Sequence, residues 1–323
     1  MKALLCKELG HPNKMVLEEV PSPQPKENEI LLKVKACSVN FPDTLIVQGL
    51  YQFKPDLPFS PGSDVSGIVK AVGEKVKHVK VGDEAFGIVS HGGFAQEVIV
   101  PGKAIFTKPE DMEHEIAASF MMAYGTSYYA LKNRAKLKEG ETLLVLGASG
   151  GVGLAAVELG KIMGAKVIAA ASTNEKLELC KQYGADELIN YNEEDLKTKT
   201  KELTNGKGAD VIIDPVGGNY TEAALRATAW EGRFLVVGFP AGIAKIPMNL
   251  PLLKSCQIVG VFWGAYAMQF PKENMMNTMT LIQLYRDGRL KPHIQKTYTL
   301  KNAQQALIDM MDRKVMGKIV VMP

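Results

Sequence analysis

The chain of 323 residues carries 38 basic and 35 acidic side chains, a formal net charge of +3, with 46% hydrophobic and 23% charged residues. This length suggests about two domains, and the near-balanced charge, without a block of one sign, argues against nucleic-acid or anionic-membrane partners. No stretch approaches the roughly 18 uninterrupted apolar residues of a membrane helix.

In chain order, the opening "MKALLCKELGHPNKM" has an apolar run too short for a secretion signal. Cys6, Cys37, Cys180 and Cys256 are scattered, with no CxxC pair. The expectation is a cytoplasmic protein with reduced thiols. Residues 1 to about 120 read as short strands between Gly and Pro turns: "EILLKVKACSV", which alternates, then "SGIVKAVG", "GDEAFGIV" and "AQEVIV". That pattern predicts an antiparallel, barrel-like β domain. From residue 112, "MEHEIAASFMMAYGTSYYALKNRA" has helical period and length. "ETLLVLGASGGVGLAAVELGKIMGAKVIAAAS" then reads as strand, Gly-rich turn, helix and strand, and the alternation continues to "CQIVGVFWG". Repeated βα units with strands apolar throughout predict a parallel sheet covered on both faces. The tail after 265, helix–strand–helix–strand, is too small for a domain of its own and should pack back onto another.

"GASGGVG", 147–153, follows the strand "TLLVL" and opens the helix "LAAVELGKIM". Gly150 stands where backbone approaches a pyrophosphate and Gly153 where helix meets strand; Ala148 replaces the first Gly of the fingerprint. Ser149, Gly150, Gly151, Val152 and Gly153 are thus the expected phosphate-binding turn, against the alternative of a purely structural turn. A ribose-binding carboxylate is expected about 20 residues on, but Ser172 and Thr173 stand there, with Lys176 close by and Tyr191 ending the next strand. Hydroxyls and a lysine accept a 2′-phosphate that a carboxylate repels, so NADPH is predicted over NADH. The alternative for Lys176 is an exposed first-turn lysine.

The segments "VNFPDTLIVQGLY", "PFSPGSDVSGIVKAVGEKV", "VGDEAFG", "GGFAQEVIV", "AYGTSYYAL", "GASGGVG" and "GRFLVVG" together resemble a zinc-independent medium-chain dehydrogenase/reductase of the NADPH:quinone oxidoreductase (zeta-crystallin-like) type. The resemblance implies an α/β protein: a GroES-like β-barrel catalytic domain, 1–124 with 266–323, and a doubly wound parallel Rossmann domain, 125–265. It also implies a homodimer through the Rossmann edge strand near Ile258–Trp263, an apolar strand that would otherwise be an exposed edge.

Zinc-dependent members hold their metal with a Cys, a Gly-His-Glu segment and a later Cys. Asn40 stands in the first slot here, and Ser63 and Asp64 replace His and Glu. Asp64 alone cannot make a tetrahedral N/S site, so no metal is expected. The five His lack ligand spacing; only His91 is placed near a cleft, against the alternative of an exposed turn. Cys37, on an alternating strand, reads as packing rather than nucleophile.

Without a Lewis acid the chemistry suits acceptors that take hydride readily, a quinone or an enone. Asn40 is the first candidate for contact with nicotinamide or acceptor, against a structural Asn. Asp43 is expected to orient its loop, and Tyr51 to donate a proton or form pocket wall. By resemblance Thr126, Gly238, Phe239, Phe262 and Gly264 border the cofactor, and Lys318 in "GKIVV" approaches it from the returning tail. For Trp263, core or interface is the preferred reading. Three functions stay open: an NADPH-dependent quinone oxidoreductase, a reductase of enones, alkenals or acryloyl-type thioesters, and a nucleotide-binding stress or structural protein with little turnover.

Overall fold

Alternation in "EILLKVKACS" produces a ten-residue strand that organises the first part of the chain. A computed structural model describes all 323 residues, in two units: Met1–Met122 with Pro292–Pro323, and Ala123–Lys291. In the first, β1 (Lys2–Leu5) pairs with β2 (Val16–Glu19), and β3 (Glu29–Ser38) leads into the short helix α1 (Phe41–Val47). Next come β4 (Asp64–Val72), β5 (Glu84–Ile88), β6 (Glu97–Pro101), β7 (Ile105–Thr107) and α2 (His114–Tyr128), which runs into the second unit. β3 carries β4 antiparallel on one side and β6 on the other. Its inward residues Ile30, Leu32 and Val34 join Val65, Phe94 and Val100 in one core.

In the second unit strand and helix alternate: β8 (Thr142–Leu146), α3 (Gly151–Ile162), β9 (Lys166–Ala171), α4 (Asn174–Gln182), β10 (Glu187–Asn190), α5 (Leu196–Leu203), β11 (Ala209–Asp214), α6 (Tyr220–Arg226), β12 (Thr228–Val236), α7 (Asn249–Lys254) and β13 (Gln257–Gly260). The sheet order is β10-β9-β8-β11-β12-β13, every pair parallel. β8, β9 and β11 are buried along almost their whole length, which is why they read as apolar throughout.

α8 (Trp263–Gln269) and α9 (Pro271–Arg286) complete that unit. The chain therefore returns to the first unit at Pro292, not at 266 as the sequence suggested. The reason is polar as well as apolar. Trp263 Nε1 donates to Asn274 Oδ1 at 3.0 Å, Asn277 joins Asn133 and Lys132, and Tyr266 stacks on Tyr129 at 4.1 Å. A helical pattern gives a helix's buried face but not its partner. β14 (Ile294–Thr299), α10 (Ala303–Met311) and β15 (Lys318–Met322) then close the first sheet: β15 pairs antiparallel with β3, and β14 parallel with β15. That parallel pair lies in the tail, outside the 1–120 stretch for which antiparallel pairing was expected.

Both ends of the second unit are tied to α3. Tyr124 Oη donates to Glu158 Oε2 and the Lys291 N–H to Glu158 Oε1, each at 2.7 Å. Ser127 Oγ adds a bond to the Val152 carbonyl. No helix is long and apolar enough to cross a membrane.

Candidate functional site

The glycine-rich turn lies between β8 and α3, at the carboxyl end of the sheet. Gly147 adopts φ +54°, and a Cβ there would come within 2.6 Å of Val216 Cγ2. A Cβ on Gly153 would lie 2.2 Å from the Gly147 carbonyl oxygen, closer than any side chain permits. This glycine is what lets the helix sit on the turn, as the sequence reading held. Gly150, the N-cap, differs: its Cβ would meet only the Gly147 oxygen at 3.4 Å, an ordinary contact. The face of the turn is thus open to a ligand. The first-turn amides of Gly151, Val152 and Gly153 have no partner within the helix, and the dipole end favours an anion. Ser149 is buried beside them, and Ala148 spends its N–H on Ala170. The residues present fit the pyrophosphate of a dinucleotide.

One strand over, β9 ends at Ala171 and no carboxylate follows on the strand. Thr173 caps α4 by accepting the Lys176 N–H at 3.3 Å, while Lys176 Nζ donates to Ser172 Oγ at 3.3 Å. Tyr191, after β10, packs its ring against Tyr220. Asn192 donates to the Ser172 carbonyl at 2.8 Å and Asn190 to Asn174 Oδ1 at 3.0 Å. These asparagines were missed: only the parallel register of Asn190 beside Ala171 reveals them. Gly238 and Phe239 follow β12, beside the Gly217 turn, and Phe239 is largely exposed. Phe262 and Gly264 follow β13, Phe262 exposed and Gly264 open around its Cα. Thr126 is buried in α2 next to Ser127. The turn, Ser172–Lys176, Tyr191, Gly238–Phe239 and Phe262–Gly264 therefore all stand at carboxyl ends of parallel strands, the ligand side of such a sheet.

Trp263 begins α8, is buried, and packs over Gly125, the core placement expected for it. Lys318 begins β15 in the other unit, buried beside Asn40.

That second cluster is built from β3, α1, β4 and β15. Asn40 caps α1, its N–H donating to Asp43 Oδ2 at 2.8 Å, and Asp43 Oδ1 accepts from the Gly62 N–H at 3.1 Å. Asp43 thus fastens the loop, as expected of a cap residue. Asn40 Oδ1 accepts from Lys318 Nζ, which also reaches the Val39 carbonyl at 3.3 Å. Asn40 Nδ2 donates to Ser38 Oγ at 3.3 Å, and Ser38 Oγ faces Asp64 Oδ2 at 3.5 Å. The Met122 N–H also reaches Asp64 Oδ2, at 3.2 Å, while Asp64 Oδ1 and Ser63 Oγ are buried without a partner.

Two carboxylates and one ammonium share this apolar surrounding. Burial pushes Asp43 up to about 6 and Asp64 up to about 7, against the opposing pull of Lys318, and burial lowers Lys318. The cluster is closest to neutral with Lys318 charged, one carboxylate ionised and the other protonated. Tyr51 packs against the same core, and burial together with the Asp43 charge raises its hydroxyl, keeping it a proton donor. Cys37 is fully buried and its thiol is pushed well up by burial, so it packs and does not attack. His91 sits between Phe53 and Phe59, ring centroids 5.9 and 6.1 Å away, and burial lowers its pKa.

Nowhere do three His, Cys, Asp or Glu side chains gather so as to hold a metal. The Asn40 cluster does not fit zinc: neither thiolate nor imidazole joins its bonding pattern, its polar groups are an amide, hydroxyls and carboxylates already bonded to one another, and the cation facing the amide is Lys318.

Family models match both units. One described as an alcohol dehydrogenase GroES-like domain matches residues 26–110, and one described as a zinc-binding dehydrogenase matches residues 151–280. The quinone oxidoreductase-like protein 2 of Bos taurus is 39% identical over 322 residues, 99% of this chain and 92% of its own length. The Escherichia coli quinone oxidoreductase complexed with NADPH is 30% identical with a TM-score of 0.93, covering 100% of both chains. CurK enoyl reductase is 26% identical with a TM-score of 0.91, covering 99% of this chain and 98% of its own.

Proposed function

Because the chain belongs to the zinc-independent medium-chain dehydrogenase/reductase family of the quinone oxidoreductase type, we propose that it reduces a quinone with NADPH. The observation that carries the reading is the pairing of an open glycine turn with a β9 end where Ser172 stands in place of a carboxylate, with Lys176 Nζ bonded to its hydroxyl. The E. coli neighbour's NADPH complex supports the cofactor, and the names of the relatives support the acceptor.

When bound, NADPH supplies a hydride, and a proton from solvent or a side chain completes the conversion of quinone to hydroquinone. The chain's own part is to hold and orient. The α3 amides and dipole take the pyrophosphate. Ser172, Thr173 and Lys176 take the 2′-phosphate, and Tyr191 lies alongside. Thr126, Gly238, Phe239, Phe262 and Gly264 border the nicotinamide end. In the other unit, the Asn40 amide donates to the acceptor oxygen that gains charge, the role a metal fills elsewhere. Asp43 keeps Asn40 and its loop in place, and Tyr51, protonated at neutral pH, is the nearby proton source.

Steady-state NADPH oxidation with a panel of quinones and enones is the test. Turnover of quinones with enones slow supports the reading. Turnover of enones alone favours double-bond reduction, for which the likeness to CurK enoyl reductase is the specific observation. Tight NADPH binding without turnover of either favours a nucleotide-binding protein.

We further propose a homodimer formed through β13. This edge strand leaves Ile258 exposed, and Trp230 on β12 and Leu252 and Leu253 on α7 are more exposed still. Light scattering reporting a monomer of 35.2 kDa refutes it.

A further inference from the structure

Lys318 is an ammonium buried with no carboxylate as its direct partner. Its Nζ donates to two carbonyl oxygens, Asn40 Oδ1 and Val39 O, while Asp64 and Asp43 act on it through space. Desolvating an ammonium is costly, and an apolar side chain of similar size commonly serves a core as well or better. A role in stability alone therefore explains the residue poorly.

Its effect on Asn40 follows from donor and acceptor chemistry. An ammonium donates and never accepts. The Asn40 atom facing Lys318 must then be the carbonyl oxygen, so the amide orientation, often a matter of choice, is fixed here. The NH2 is turned the other way. One of its hydrogens goes to Ser38 Oγ at 3.3 Å, and the other is left over by the chain. The backbone of Asn40 cannot drift either, since Asp43 grips its N–H and Gly62 grips Asp43.

We propose that Lys318 is a positioning residue: its ammonium holds the Asn40 carbonyl so that one amide N–H is presented to the acceptor oxygen. This rests on the reading of Asn40 as the acceptor contact. Neutral partners would leave the amide free to rotate by half a turn and present its oxygen, repelling the charge that develops. A charged donor removes that choice, because the flipped amide would set NH2 against ammonium.

The test is a double-mutant cycle of Lys318→Met and Asn40→Ala on the full-length protein, reading kcat, the Kd for NADPH and Tm. Lys318→Met is expected to lower kcat about tenfold or more, with NADPH binding within about twofold. In the Asn40→Ala background the same substitution is expected to change kcat less than about twofold. Lys318→Arg, which restores a charged donor, should recover most of the rate. Equal losses in both backgrounds, or Lys318→Arg as slow as Lys318→Met, overturn the positioning role while leaving Asn40 in place. Asn40→Ala with unchanged kcat overturns the Asn40 reading and the positioning role together. If Lys318→Met melts below the assay temperature, the cycle is run with Lys318→Gln, which keeps a neutral N–H donor and should give an intermediate rate. A full loss that is again independent of Asn40 overturns the proposal in that form too.

Discussion

Around Gly150 the protein offers backbone amides with little in front of them; around Asn40 it offers buried side chains. The first region is defined by groups that every sequence possesses, exposed by the absence of a Cβ and aligned by a helix. The second is defined by side chains held off water, where each polar atom must find a partner and two, Asp64 Oδ1 and Ser63 Oγ, do not. A site made of backbone fails by steric intrusion. A site made of buried side chains fails by loss of orientation or by titration. Substitutions in the two regions should therefore leave different signatures.

The largest effect is expected at Gly153. Gly153→Ala sets a Cβ 2.2 Å from the Gly147 oxygen, so unfolding in denaturant should show a loss of about 3 kcal/mol. Gly150→Ala, with only a 3.4 Å contact, should cost under about 0.5 kcal/mol yet weaken NADPH binding about tenfold. Similar stabilities for the two would break the contrast. Next is Asn40→Ala: kcat should fall about a hundredfold while NADPH affinity, measured by fluorescence titration, stays within about twofold. The reverse pattern would move Asn40 to the cofactor.

Smaller again is Lys176→Glu. It should lower kcat/KM for NADPH by about tenfold to a hundredfold, the size of one charged hydrogen bond, and leave NADH unharmed. Equal losses with the two cofactors would remove Lys176 from the 2′-phosphate. Smallest is a slope. Asp43 at about 6 and Asp64 at about 7 lie above the unfolded value of about 3.9. Between those values the folded chain binds more protons than the unfolded, so their contribution is present at pH 4 and is lost as pH rises toward 7. Asp64→Asn should flatten that decline in Tm, and its Tm relative to the parent should rise from pH 5 to pH 8. A constant difference would mean that Asp64 does not titrate in this window.

How much could be read beforehand followed the same division. The parallel sheet and the turn were legible because strand, glycine spacing and helix appear in one continuous segment, and Gly153 owes its role to a contact with Gly147, six residues away. Ser172 and Lys176 drew notice through what is missing at the end of β9, and the structure brings their side chains together. The Asn40 cluster was legible only in part. Asn40 and Asp43 stand out within "VNFPD", but Lys318 is 278 residues on, and nothing in "GKIVV" says which strand it will lie beside. The pairing of β15 with β3 decides that. Asn192 was missed for the same reason, and α9 was assigned to the wrong unit because helical period names a buried face without naming what covers it.

Glu158 has a consequence for the architecture of the chain as a string. The polypeptide enters the Rossmann unit near Tyr124 and leaves it near Lys291, and both points bond to opposite oxygens of one carboxylate. Entry and exit are thus a single carboxylate apart, as in a module spliced into a host through one short seam. Such a module can be cut out or transplanted with its ends already adjacent. The carboxylate that stitches them lies on α3, the helix whose first turn is proposed to hold the pyrophosphate, so the seam and the proposed cradle share one rod.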